Sequence, residues 1–215
     1  MNKSNIVILS HRGYWKRKNE KNAIIAFKRA FSLGFGAEFD IRDFCKRLVV
    51  SHNLANVNSP SLEHVFKLYK HFNMDFPLAL NIKADGLEVQ LNQLLHKYKI
   101  HNYFVFDLSV PSSLLYLKRK IRFFTRQSEY ENNPLFYSGA TGIWMDEFES
   151  HWVNKKKIIE HLKNGKEVCI VSPELHGREY LKEWEDYKII CKSIQNKMVM
   201  LCTDFPEKAR QFFYE

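Results

Sequence analysis

The sequence predicts an α/β fold, a compact single-domain TIM (β/α)8 barrel running through residues 1–215. Three observations predict it. Apolar strand-like runs alternate with amphipathic helix-like runs, the pattern of parallel βαβ units. The runs number eight, which closes such a barrel, and about 200 residues is the lower end of the usual barrel length. Polar residues recur at the ends of many of the runs, whereas a doubly wound open sheet gathers its site at one switch point.

The first strand is the run Ile6-Val7-Ile8-Leu9, apolar throughout and bounded by polar residues. The other strands fall at 37–41, 77–82, 103–106, 121–125, 142–145, 168–171 and 198–202, with a short extra one at 48–51 beside the second. A helix over 22–33 follows from the stripe of Ile24, Ile25, Phe27, Ala30, Phe31 and Leu33, interrupted by Lys28 and Arg29. Ser61-Leu62-Glu63-His64 opens the next helix, and 86–98 carries Leu87, Leu91, Leu94 and Leu95 on one face. Helical patterns over 154–162, 180–187 and 205–213 continue the rhythm to the C-terminal end.

The apolar share is 45% and the charged share 27%, ordinary values for a globular protein. No run approaches the roughly 18–20 apolar residues that span a bilayer. The apolar run after Met1–Asn5 is too short for a secretory signal, so the sequence predicts a cytoplasmic location. The four cysteines, Cys45, Cys169, Cys191 and Cys202, show no CxxC spacing and read as small buried hydrophobes. The net charge of +9 points to an anionic partner. Its short clusters, Lys16-Arg17-Lys18 and Lys155-Lys156-Lys157, read as solvated faces, so no nucleic-acid partner is expected.

In a barrel the C-terminal strand ends form the rim of the site. His11 and Arg12 follow the first strand, Glu38 and Asp40 lie on the second, and His52 follows the short extra strand. Asn81 and Lys83 come at the third, Asp107 at the fourth, Arg126 at the fifth, Asp146 at the sixth, Glu174 and His176 at the seventh, and Thr203-Asp204 at the eighth. Glu38 and Asp40 share a strand face, with Phe39 turned the other way. Paired carboxylates repel, and the usual relief is a shared proton or cation; hard oxygen donors favour Mg²⁺ or Ca²⁺. His11 and His52 form a natural acid–base pair near neutral pH. Arg12 offers a fork suited to phosphate, and Gly13 permits a sharp exit from the strand. His64, His71, His96, His101, His151 and His161 read as surface residues. Neither a G-x-S-x-G elbow nor a Gly-rich nucleotide loop is present.

These residues resemble a known pattern. His11-Arg12-Gly13, Asn22 with Ala26-Phe27 and Ala30, Gly34, Glu38-Phe39-Asp40-Ile41 and Leu48-Val49-Val50-Ser51-His52 together look like the glycerophosphodiester phosphodiesterase family. Thr203-Asp204-Phe205-Pro206 resembles that family's closing strand. The broader group includes phosphatidylinositol-specific phospholipase C. The resemblance implies His11 and His52 as acid–base histidines, Glu38 and Asp40 as ligands of one divalent cation, and Arg12 and Lys83 as phosphate-binding cations. It also implies attack by a substrate hydroxyl, giving a cyclic phosphate that water opens. The sequence departs from the family at three places. Asn81-Ile82-Lys83 replaces Glu-x-Lys, His52-Asn53 replaces His-Asp, and Glu20-Lys21-Asn22-Ala23 replaces Pro-Glu-Asn-Thr. The third metal ligand is therefore Asn81, Asp107 or water.

The expected function is a divalent-metal-dependent phosphodiesterase acting on a glycerophosphodiester or related small-molecule or glycan phosphodiester. Arg126 and Trp144 are further substrate contacts in this reading. Its rivals are a non-catalytic barrel that binds phosphorylated ligands, and a lyase that stops at the cyclic phosphate.

Overall fold

A computed structural model describes residues 6–73, 75–194 and 199–215. Its strands are β1 (Ile6–His11), β2 (Gly36–Phe44), β3 (Arg47–Val50), β4 (Leu78–Ile82), β5 (Tyr103–Phe106), β6 (Phe124–Gln127), β7 (Gly142–Met145), β8 (Glu167–Val171) and β9 (Val199–Thr203). The helices are α1 (Ile24–Ser32), α2 (Leu62–His71), α3 (Glu88–Lys97), α4 (Val110–Lys118), α5 (Lys155–Lys163), α6 (Leu181–Ser193) and α7 (Pro206–Tyr214). Eight of the strands, all but β3, alternate with helices, except that β7 follows β6 without one, in the architecture of a TIM barrel.

The described residues divide into two compact units, one within residues 9–123 and the other of residues 6–8 with those described from 124 to 215. In the first, the strand order is β5-β4-β2-β1, all parallel, with a further parallel bridge from Val105 to Phe123. In the second, β9-β8-β7-β6 run parallel.

The first unit is organised around aromatic packing between sheet and helices. Phe39, on the face of β2 opposite to Glu38 and Asp40, lies 5.2 Å from Phe27 of α1. Phe31 of α1 meets Tyr69 of α2 at 5.4 Å. Alternation along β2 thus sends Phe39 into the helix layer and its two carboxylate neighbours the other way. The extra strand β3 returns antiparallel beside β2, with Phe44 opposite Arg47. Cys45 and Lys46 make the two-residue turn, both with positive φ, the conformation that matches strand twist in tight hairpins.

In the second unit, Trp184 of α6 is the packing centre. Its ring sits 4.6 Å from Tyr180 and 5.5 Å from both Phe212 and Phe213 of α7.

Several expectations shift. The strand expected at 121–125 is β6 at Phe124–Gln127, because its ladder with β7 starts at Phe124 opposite Gly142. Arg126 therefore lies within the strand. The strand expected at 198–202 runs Val199–Thr203, and Met198 lies outside the described residues. Helix α4 escapes the periodicity reading because Val110, Leu114, Leu115 and Leu117 are all exposed, so no single stripe stands out. Its start is marked by Ser109, whose Oγ accepts the Ser112 N–H at 3.2 Å. His161 is buried rather than on the surface: its Nε2 meets Gln127 Oε1 at 2.8 Å, its Nδ1 meets the Tyr137 hydroxyl at 2.9 Å, and burial lowers its pKa. Cys45 is exposed, while Cys169, Cys191 and Cys202 are buried as expected. Among the described residues, no helix is long and apolar enough to cross a membrane.

Candidate active site

Strand register assembles the site in the first unit. His11 is the cross-strand partner of Glu38, and Asp40 is the partner of Asn81. Asn81 in turn pairs with Phe106, so Asp107 emerges one step beyond β5. Partners in adjacent strands project to the same face, and this places one histidine, two carboxylates and one amide together.

The chain leaves β1 through two consecutive left-handed residues, Arg12 (φ 56°) and Gly13 (φ 78°). A Cβ on Gly13 would lie 2.9 Å from the Cβ of Ala26, so a side chain there collides with α1. This turn aims the Arg12 N–H at Glu38 Oε2, 3.1 Å away, and brings Arg12 Nε to 3.2 Å from Asp40 Oδ2. His11 Nε2 stands 3.9 Å from Glu38 Oε2. Lys83, just past β4, lies 3.5 Å from both Asp40 Oδ1 and Asp107 Oδ2.

Glu38 and Asp40 are buried. Burial, then the neighbouring charge of Asp40, pushes the Glu38 carboxyl up to about 8, against the opposing pull of Arg12 and Lys83. Asp40 Oδ1 and Asn81 Oδ1 are both buried and accept no hydrogen bond. Buried oxygens left in this state are costly unless something else satisfies them. A repelling carboxylate pair, one of whose oxygens meets only an ammonium at 3.5 Å, beside an Asn81 oxygen without a hydrogen bond, all hard donors, fits a divalent cation held by Glu38, Asp40 and Asn81.

His52 lies beyond β3 on an exposed loop, and its Nδ1 is 3.0 Å from Asn53 Oδ1. That oxygen only accepts, so with this amide orientation the ring proton sits on Nδ1 and Nε2 presents its lone pair. The loop is tied to the sheet by Ser51 N–H to Asp40 O at 3.0 Å and by Arg42 Nε to His52 O at 3.3 Å. His52 and Arg12 border one cavity of 470 Å³.

One residue of the site stands outside the catalytic set expected from sequence. Asn22, buried before α1, donates Nδ2–H to Asp40 Oδ2 at 2.7 Å and has φ 62°. Its only sequence signal is its place in the family-like pattern.

The second unit holds the remaining strand-end residues. Arg126 pairs with Glu131, and Trp144 is buried on β7. His176 Nε2 meets Asp146 Oδ1 at 2.6 Å. Glu174 takes bonds from Ser172, Thr203 and the Asp204 N–H, which fixes the loop after β8. Glu147, His151 and Glu183 present ligand atoms within 4.8 Å of one another, and this group could hold a metal ion. Glu147 already accepts from Trp152 N, Val153 N, His151 and Tyr187, and Glu183 pairs with Arg178, so the donors have partners without one.

Solved structures share this architecture along the whole chain. A candidate glycerophosphodiester phosphodiesterase from Galdieria sulphuraria superimposes with TM-score 0.77 at 18% identity, covering 100% of both chains. The fold is that of the glycerophosphodiester phosphodiesterases. An Oleispira antarctica phosphodiesterase, solved with the product sn-glycerol-3-phosphate, matches at TM-score 0.69 and 11% identity over 97% of each chain. A Ca²⁺-dependent phosphatidylinositol-specific phospholipase C from Streptomyces antibioticus matches at TM-score 0.59 and 7% identity, over 97% of this chain and 96% of its own. No protein-family profile and no curated protein matches the chain by sequence.

Proposed function

We propose that the chain is a divalent-cation-dependent phosphodiesterase cleaving a glycerophosphodiester or a related small-molecule or glycan phosphodiester. One observation carries the proposal: Asp40 Oδ1 and Asn81 Oδ1, cross-strand partners, are buried without hydrogen bonds beside a Glu38 whose pKa is raised to about 8. The shared fold adds support but not function by itself.

Glu38, Asp40 and Asn81 are the residues that would hold one cation, Mg²⁺ or Ca²⁺, which when bound polarises a phosphoryl oxygen. Arg12 and Lys83 lie against Asp40 and offer N–H donors to the remaining phosphate oxygens, where charge develops. His52 takes the proton of the attacking substrate hydroxyl at Nε2 as the new P–O bond forms. His11 delivers a proton from Nε2 to the departing alkoxide as the old P–O bond breaks. Opening of the cyclic phosphate by water reverses the two roles.

The test is hydrolysis of glycerophosphoglycerol with Mg²⁺ or Ca²⁺, followed by phosphorus NMR. The expected products are glycerol 3-phosphate and glycerol, with turnover abolished by a chelator. A cyclic phosphate as sole product would show a lyase. Absence of turnover with either cation would overturn the proposal.

A further inference from the structure

The cavity of 470 Å³ beside Arg12 and His52 has a composition that the cleavage chemistry alone does not require. One wall is the loop between β1 and α1, which contributes Lys18 and Lys21; the other is the segment after β3, which contributes Asn53 and Asn56. Three cationic side chains border the cavity, Arg12, Lys18 and Lys21, and no carboxylate does so among the described residues. Its volume lies in the range of small-ligand sites, about 300–1,000 Å³.

The one carboxylate in the first wall is turned away. Glu20 falls between Lys18 and Lys21 in sequence, yet its Oε2 accepts from Arg29 Nη1 and from the Lys16 N–H, both at 2.8 Å. Those partners hold Glu20 ionised down to about 2, so its charge is already balanced on the far side of the loop. Lys21 is placed by the face of Trp15, with Nζ 4.4 Å from the ring centre, a contact that orients the ammonium. The second wall is braced internally. Asn58 N–H bonds Asn56 Oδ1 at 2.9 Å, Asn56 N–H bonds Ser59 Oγ at 3.1 Å, and Val50 N–H bonds Pro60 O at 2.8 Å. Side-chain amides on a braced loop supply neutral hydrogen-bond donors beside the cationic side chains that line the cavity.

We propose that this cavity binds a second phosphate of the substrate, carried on one of the two alcohols that flank the scissile diester. The substrate class is then a polyol phosphodiester bearing a further phosphate. Arg12 lies at the junction, beside Asp40 on one side and lining the cavity on the other. The inference rests on the reading of Arg12 and His52 as part of the cleavage site.

Calorimetry on the full chain, using sn-glycerol 3-phosphate and glycerol 1,3-bisphosphate as probes, tests the inference without requiring turnover. The bisphosphate is expected to bind at least about tenfold tighter near 0.01 M salt, and the gap should narrow near 1 M, where screening acts over only about 3 Å. In a Lys18→Ala/Lys21→Ala variant the ratio of the two affinities should collapse toward one. If that variant does not fold by circular dichroism, Lys18→Ala with Lys21→Gln, which retains a stem over Trp15, replaces it. Equal affinities in the parent chain, no binding of either probe, or a ratio that survives loss of both lysines would overturn the inference. Hydrolysis of glycerophosphoglycerol without bisphosphate preference would sink the second-phosphate subsite alone. Bisphosphate preference without hydrolysis of any diester would sink the phosphodiesterase reading alone.

Discussion

Asn22 donates its side-chain amide to Asp40 Oδ2 at 2.7 Å, and so decides which oxygen of that carboxylate remains available. With Oδ2 shared between Asn22 and Arg12, Oδ1 is the oxygen left without a hydrogen bond, on the carboxylate whose cross-strand partner is Asn81. Residues that orient ligands in this way typically contribute 10–100-fold in metal affinity. Asn22→Gly keeps a residue tolerant of φ 62° while deleting the amide. It is expected to weaken Ca²⁺ or Mg²⁺ binding by about tenfold or more, measured by calorimetry. Unchanged affinity would contradict this role for Asn22.

Asn81 supplies a neutral oxygen in the proposed ligand set. Asn81→Leu should weaken cation binding, whereas Asn81→Glu, which adds a charge at the same register position, should strengthen it. If the two variants bind Ca²⁺ equally, the ligand assignment to Asn81 fails.

His11→Ala and His52→Ala should each lower kcat by about 10²–10⁴-fold, the usual contribution of a positioned acid or base. Far-ultraviolet circular dichroism should remain that of the parent chain. Asn53→Asp, which places a carboxylate against His52 Nδ1, should move the acidic limb of the pH–rate profile to higher pH. A correctly folded His11→Ala chain with full activity is incompatible with the mechanism.

Glu129 accepts the N–H groups of Phe148, Glu149 and Ser150 at 3.0–3.1 Å in the second unit. Burial raises its pKa, but the backbone donors outweigh it and set the carboxyl at about 2, below the ordinary 4.5. A depressed folded-state pKa contributes stability that is present above 4.5 and is lost as pH falls through about 2. Glu129→Gln should therefore destabilise the chain at pH 7 by about 1–3 kcal/mol, the range for bonds to a charged acceptor. The difference in urea midpoint from the parent should shrink toward pH 2. A constant difference across that window would rule out the charge as the cause.

Gly13→Ala should cost about 1–3 kcal/mol, since it combines a left-handed backbone with a methyl placed against Ala26. Because this turn positions Arg12, phosphate affinity should fall along with the thermal midpoint. An unchanged midpoint would show that the turn relaxes freely.

Much of this arrangement is legible in the sequence because strand periodicity and function coincide there. Glu38-Phe39-Asp40 encodes its own geometry: the aromatic residue goes to α1 and the carboxylates go to the opposite face. The short apolar runs at 103–106 and 142–145 are strands to the residue. Where apolar residues fail to report burial, legibility ends. Helix α4 exposes its leucines, and His161 sits buried on a helix whose polar composition suggests solvent. The Asn22–Asp40 bond and the direction taken by Glu20 depend on left-handed turns and on partners 9–18 residues away, which no local pattern specifies.

The β2–β3 hairpin separates two kinds of inheritance within this chain. Glu38, Asp40, Asn81 and His11 belong to the parallel strands, whose register cannot slip by one residue without turning every one of them to the wrong face. His52 and the Asn-rich wall ride instead on the return strand and the loop that follows it, pinned to β2 at Asp40 and Arg42. Insertions within residues 53–60 can therefore remodel what the cavity accepts while the fastening at Ser51 and His52 stays in place. In the proposed reading the cation ligands and His11 are fixed by the strands, while His52 and the wall of the cavity belong to an appendage free to diversify at its own pace.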